Sequence, residues 1–141
     1  MSTNLFIDSD IILDVLMNRQ EHYDDSSAIF RLFEDGLVKL YTTPSIIINT
    51  QYIAQKILTK EKCKQGIKYL LEYFEILESS KKTIVEAYNS GFTDIEDAIQ
   101  FYTVKNSGFV NCIITRNTKD YKKIETKIPV LTPTQFLKQF K

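Results

Sequence analysis

Short apolar runs, too brief to be helices, alternate with longer stretches of helical periodicity along the whole 141-residue chain, and nothing else in the sequence limits the fold so tightly. The first run, Leu5-Phe6-Ile7, passes directly into Asp8-Ser9-Asp10, a helix-capping sequence, after which Ile12, Val15 and Leu16 recur at helical spacing as far as Asn18. A buried strand feeding a helix is predicted. The pattern then predicts a helix over 22–35 stopped by Gly36 and a strand over 37–42. Thr43-Pro44-Ser45 opens a helix that turns Ile46, Ile47, Asn49, Ile53 and Ala54 inward; a further helix follows over 59–71, a strand over 74–77, and a helix from Ser79-Ser80 to near Gly91. Thr93-Asp94-Ile95-Glu96 has the capping-box spacing, with Thr first and Glu three residues on, and predicts a helix carrying Ala98, Ile99, Tyr102 and Val104 inward until Gly108. Residues 109–115 give the strongest strand signal, and 128–131 give the last strand before Thr132-Pro133. Strands alternating with helices predict an α/β fold in which a mainly parallel sheet is covered on both faces by right-handed crossovers.

The length suits one domain, spanning 1–141. Hydrophobic residues at 43% and charged residues at 26% exclude wholesale disorder. Eighteen basic and eighteen acidic side chains cancel, so no global field attracts a polyanion, and any nucleic acid must be held by a local patch. Cys63 and Cys112 form neither a disulfide framework nor a zinc pattern, which predicts a reducing, cytoplasmic setting. Met1 to Asn4 lacks the cationic segment of a secretory signal. The apolar stretch that follows is broken by Asp8, Asp10 and Asp14, so no membrane association is expected.

In sheets of this type ligands bind beyond the carboxyl ends of the strands. The first strand ends in Asp8, with Asp10 two residues on; the strong late strand ends in Thr115-Arg116-Asn117 and soon reaches Asp120; the helix before it opens with Asp94, Glu96 and Asp97. If Asp8, Asp97 and Asp120 come within about 5 Å of one another, each pair repels by roughly 3 kcal/mol at an effective dielectric near 20. A proton, a nearby Lys or Arg, or a hard divalent cation must then compensate, and oxygen-only ligation suits magnesium or manganese. Each of these residues also has a plainer use. Asp8 and Asp94 can cap helices, Asp97 can sit in a first turn favoured by the helix dipole, Asp120 can belong to a surface turn, and Asn49 can be a satisfied core amide. Lys119, Lys122, Lys123 and Lys127 with Arg116 form either a solvated face or a phosphate track beside the acidic mouth. His22 reads as a surface residue rather than a general base.

The segments LFIDSDIILDVL, DIEDAIQFYTVKNSG and FVNCIITRNTKDY, followed by IPVLTPTQFL, resemble in this order and spacing the PIN domain, a nuclease fold shared by bacterial toxin ribonucleases and eukaryotic RNA-processing factors. The resemblance implies a three-layer α/β/α sandwich whose cluster of about four acidic residues holds Mg2+ or Mn2+ for attack of water on an RNA phosphodiester. On this resemblance Asp8 matches the first acidic position and Asp97 the one that opens the late helix. The second acidic position falls on Asn49, normally a glutamate, and the last on Asn117, normally an aspartate, with Asp120 the next carboxylate able to serve. Asp10 stands where the family usually has Asn, and Asp94 and Glu96 can restore charge. An RNA substrate, an antitoxin protein and a homodimeric assembly are implied likewise. Two function classes follow: a metal-dependent endoribonuclease acting as a toxin, or a catalytically weakened PIN fold that binds RNA or protein. A receiver-like phosphoacceptor domain is a third reading, against which stands the missing late Lys after a strand end.

Overall fold

Among the described residues five strands, β1 (Thr3–Ile7), β2 (Val38–Thr42), β3 (Phe74–Ile76), β4 (Cys112–Ile114) and β5 (Val130–Leu131), form a single parallel sheet in the spatial order β3-β2-β1-β4-β5. The computed structural model describes residues 2–122 and 127–140. Between β1 and β2 lie α1 (Ser9–Leu16) and α2 (Tyr23–Glu34); between β2 and β3 lie α3 (Pro44–Ala54), α4 (Lys60–Leu70) and a 3-10 turn (Leu71–Tyr73). α5 (Lys81–Tyr88) and α6 (Ile95–Ser107) connect β3 to β4, α7 (Thr118–Lys122) follows β4, and α8 (Pro133–Gln139) follows β5.

Strand order and handedness place the layers. The steps β1 to β2 to β3 move outward in one direction, and right-handed crossovers put their helices on one face. The return from β3 to β4 and on to β5 reverses direction and puts α5, α6 and α7 on the other. Packing agrees: α1 meets α2, α3 and α4, whereas α5 meets α6. The expected α/β/α sandwich is the observed one. Because both faces are covered, the central strands must be apolar on both, and Leu5, Phe6, Ile7, Ile113 and Ile114 are fully buried. Leu5 pairs with Leu40 on one side and Cys112 on the other, which continues the core across the sheet. Leu13, Ala54, Cys63 and Ile67 make a smaller cluster joining α1, α3 and α4. Both cysteines are free and buried.

The chain leaves β1 toward β2 and later returns to β4 on the opposite side of β1, so the topology switches direction between β1 and β4. Crevices at such a point, beyond the carboxyl ends of the strands, are where open parallel sheets take ligands.

Several local features differ from the sequence expectation. β4 covers only 112–114 of the expected 109–115, because Asn side chains replace the ladder there: Asn4 N–H donates to Asn111 Oδ1 at 2.7 Å and Asn4 Nδ2 donates to the Phe109 carbonyl at 2.9 Å. β5 is reduced to two residues. The N-cap of α6 is Asp94 rather than Thr93. On α3 the fully buried side is Ile46, Thr50 and Ala54, while Ile48 is 69% exposed. The 118–122 segment, for which a surface turn around Asp120 is one of the two sequence readings, is a short helix whose Tyr121 is buried. Lys123 and the side chain of Lys122 lie outside the described residues.

Candidate active site

Asp8 is the first residue beyond β1, and the ladder runs on through it: its N–H donates to the Ile114 carbonyl at 3.1 Å, which sets Asp8 beside Thr115. One oxygen, Oδ1, accepts the Ser9 N–H at 2.7 Å and caps α1; the other, Oδ2, accepts the Thr115 hydroxyl at 3.0 Å. Capping and presentation at the mouth are therefore compatible in one side chain. Thr115 is fully buried, and its Oγ1 accepts the Asn117 N–H at 3.0 Å. Asn117 Nδ2 in turn donates to Asp120 Oδ2 at 2.6 Å. One hydrogen-bonded chain thus runs from the end of β1, through the turn after β4, to α7.

α6 brings the remaining carboxylates. Asp94 Oδ1 accepts the Asp97 N–H at 3.1 Å, so Asp94 acts as helix cap, and Asp97 in the first turn is raised by burial and, among other causes, by the neighbouring Asp120 carboxyl. Burial, the charges of Asp94 and Asp8, and then Asp120 together hold the Asp97 carboxyl up at about 7. Asp8 is raised as well, chiefly by burial and against the lowering effect of its two hydrogen bonds, with Glu96 and Asp94 adding like charge. A cavity of about 250 Å³ lined by Phe92, Thr93, Asp94 and Asp120 opens beside the group.

Asp8, Asp94, Asp97, Asn117 and Asp120 are therefore drawn together at the switch point. Asn49 is half-buried on α3 and makes no side-chain hydrogen bond to this group among the described residues. Lys119 and Lys127 are exposed, but Arg116 is not free to join a phosphate track: its guanidinium is bonded to Asp14. Asp10 Oδ2 accepts the Arg116 N–H at 2.8 Å, and burial followed by the charge of Asp8 raises Asp10 to about 6.

Three residues that sequence reasoning did not assign hold this arrangement in place. Asp14, fully buried in α1, accepts from Arg116 and from Ser26 Oγ at 2.7 Å, with Arg19 3.6 Å from its other oxygen. The signal was present, since Asp14 falls four residues after Asp10 in an apolar run and so shares its helix face. Gln100, 2% exposed on α6, accepts the Thr43 hydroxyl at 2.8 Å and donates to Ser45 Oγ at 2.7 Å, which ties α6 to the start of α3. Gln100→Ala leaves the buried Thr43 hydroxyl short of its acceptor, and we expect a loss of about 2 kcal/mol in urea unfolding. The third is Tyr121, also buried, whose ring packs edge-on against Phe92 and so anchors α7.

The chemistry of the donors fits a hard divalent cation. They are all oxygens and their charges are alike, and burial first and that mutual repulsion second raise the carboxyls of Asp97 and Asp8. As the side chains stand, no three His, Cys, Asp or Glu groups among the described residues converge closely enough to hold an ion. The raised values also fix the pH dependence. A carboxyl whose folded value lies above its unfolded one stabilises the fold at low pH, and that stabilisation is lost as pH rises through the folded value. From the usual carboxylate value of 3.8 up to about 7, the metal-free protein is expected to lose stability, with a melting temperature lower at pH 8 than at pH 5 by on the order of a few degrees. A Tm that is flat or rising over that range contradicts the reading of the cluster.

The comparisons with known proteins accord with this architecture. The PIN domain model matches residues 4–119, and the chain belongs to the PIN domain family. It is 26% identical over 144 residues to Ribonuclease VapC1 of Aquifex aeolicus, covering 99% of this chain and 96% of the relative. Among solved structures, VapC20 of Mycobacterium tuberculosis, a sarcin–ricin-loop-cleaving toxin, superposes with a TM-score of 0.67 at 8% identity, over 88% of this chain and 98% of that one. VapBC2 of Rickettsia felis, bound to a DNA fragment from its promoter, gives 0.64 at 16% identity over 92% and 97%.

Proposed function

We propose that this protein is a divalent-metal-dependent endoribonuclease, the toxin of a toxin–antitoxin pair. The observation that carries the reading is the placing of Asp8, Asp97 and Asp120 around the switch point between β1 and β4, where burial and then the neighbouring carboxylates raise Asp97 to about 7. Asp8, Asp97 and Asp120 would hold Mg2+ or Mn2+, which supplies an activated water and neutralises charge developing on the phosphate oxygens. The protein's own contribution is positional. Ser9 and Thr115 fix the two oxygens of Asp8, Asn117 fixes Asp120, and the Asp94 cap fixes the first turn that carries Asp97. Asn49 on α3 is proposed as a neutral supporting group, since an amide carbonyl can face a cation but adds no charge.

The partners follow the same reading. RNA is the substrate, an antitoxin protein is the inhibitor, and a homodimer is the expected assembly. No described helix is long and apolar enough to cross a membrane. The test is cleavage of a generic single-stranded RNA with Mg2+ or Mn2+ and with chelator, alongside growth on expression with and without a co-expressed antitoxin. Metal-dependent cutting and growth arrest support the proposal. RNA binding without cutting at any metal concentration replaces it with the binding-module reading, for which the amides at 49 and 117 are the specific grounds.

A further inference from the structure

A cavity of about 650 Å³ opens between the start of α3, the loop after β3, α5 and α6. Its place in the sheet ties it to the acidic group. The β1–β2 register pairs Phe6 with Tyr41, so Asp8 and Thr43, each two residues further on, stand level at the ends of neighbouring strands whose axes lie about 4.8 Å apart. The Thr42 hydroxyl, donating to the Ile7 carbonyl at 3.2 Å, holds the two strands together to that point. α6 turns Ile95, Glu96, Ile99 and Gln100 to the cavity, two pairs at i,i+4 spacing, and Asp97 directly follows Glu96 in the same turn. A base stands one ribose away from its phosphate, so a phosphate held at Asp8 and Asp97 brings a neighbouring base to this opening.

The apolar part of the surface comes from three helices: Pro44 on α3, Ile84 on α5, and Ile95 and Ile99 on α6. Its buried polar groups are already satisfied. Gln100 accepts from Thr43 and donates to Ser45, and the hydroxyls of Ser79 and Thr103 are hydrogen-bonded at 2.6 Å. Glu78 and Glu96 differ, being exposed and having no side-chain hydrogen bond or ion pair among the described residues. Apolar walls with a few polar groups, at this volume, are the usual make-up of a small-ligand site. Two carboxylates repel a phosphate and accept from N–H donors. A flat, uncharged ring with N–H groups along one edge therefore fits. Of the four RNA bases guanine suits best, because its N1–H and N2 amino group lie side by side and one carboxylate can accept both. Uracil offers a single N–H between two carbonyls, which a carboxylate repels.

We infer that this cavity is a nucleobase subsite beside the acidic group, taking a guanine of the RNA with Glu78 and Glu96 accepting from its Watson–Crick edge. It rests on the ribonuclease reading for what carries the base there, whereas binding of the free nucleoside needs neither metal nor cleavage. An arginine of a protein partner also complements two carboxylates, but one such side chain leaves most of the cavity unfilled.

The test is titration of each ribonucleoside into the metal-free wild-type protein, followed by the methyl NMR signals of Ile84, Ile95 and Ile99. Guanosine is expected to shift all three and to bind about tenfold more tightly than uridine. Ile84 is 38% exposed, so Ile84→Trp fills the opening without disturbing the core, and it should lose guanosine binding at an unchanged Tm. Glu78→Gln combined with Glu96→Gln should bring guanosine and uridine within about twofold of each other. In wild-type cleavage of a mixed-sequence RNA, guanosine is expected at one fixed position relative to the cut. No binding of guanosine, equal binding of all four nucleosides, shifts confined to other residues, binding kept in Ile84→Trp, or a preference kept in the double variant overturns the inference. So does an arginine-containing peptide that shifts these methyls where guanosine does not. Metal-dependent cutting without base preference removes the subsite and leaves the ribonuclease reading. Guanosine bound at these methyls in a protein that cuts no RNA removes that reading and leaves the guanine site.

Discussion

Asp8→Asn is expected to reduce metal-dependent RNA cleavage by at least about 10²-fold without unfolding the protein. The two outcomes separate because Asp8 has two functions that differ in what they need. As N-cap it needs only an acceptor for the Ser9 N–H, and asparagine caps as well as aspartate. Its new amide can face Thr115 Oγ1, whose hydroxyl turns to accept instead of donate. The buried negative charge is lost, and with it one of the repulsions that raise Asp97. The metal-free variant should therefore melt no lower than wild type, while the rise in Tm that wild type shows on adding Mn2+ should be absent. Cleavage within a factor of a few of wild type would remove Asp8 from the site, and a large fall in Tm would make it a structural residue only.

Arg116→Ala should act in the opposite sense, on stability first. Asp14 is fully buried, and Arg116 is its direct charged partner, with Ser26 at 2.7 Å and Arg19 at 3.6 Å. Removing one member of a buried pair leaves an uncompensated charge in the interior, which costs about 3–5 kcal/mol. Arg19 offsets part of this, so about 3 kcal/mol is expected, a fall in Tm of about 10 °C for a domain of this size. The network joins α1, α2 and the turn after β4, and that turn carries Thr115 and Asn117. Loss of order there should also slow cleavage. Adding Asp14→Asn to Arg116→Ala removes the stranded charge and should recover much of the stability. If Arg116→Ala alone melts within about 2 °C of wild type, the buried pair is not what secures the turn.

The fold was legible because its two periods are written plainly. Leu5-Phe6-Ile7 is too short and too apolar to be anything but a central strand, and Asp8-Ser9 announces the helix that follows. Boundaries were less legible where side chains compete for backbone partners. Asn4 and Asn111 take over pairing that would otherwise extend β4, and Asp94 displaces Thr93 as cap although both residue types can fill the position. At the site, Asp8, Asp94, Asp97, Asn117 and Asp120 could be named from their places after strands and at a helix start, which the sequence fixes in order but not in distance. Tyr121 and Arg116 could not be assigned. A lysine-rich segment ending in tyrosine looks like a solvated turn, and only the path of α7 shows that the ring is enclosed beside Phe92. Arg116 looks like a phosphate contact until Asp14 is seen to be buried behind it.

The most direct measurement is the anomalous scattering of manganese in crystals of the wild-type protein. One peak with oxygens of Asp8, Asp97 and Asp120 at ligand distance, and no such peak in Asp8→Asn, is the predicted result. Crystals that cut RNA in the same manganese buffer yet carry no ion between β1 and α6 would contradict it.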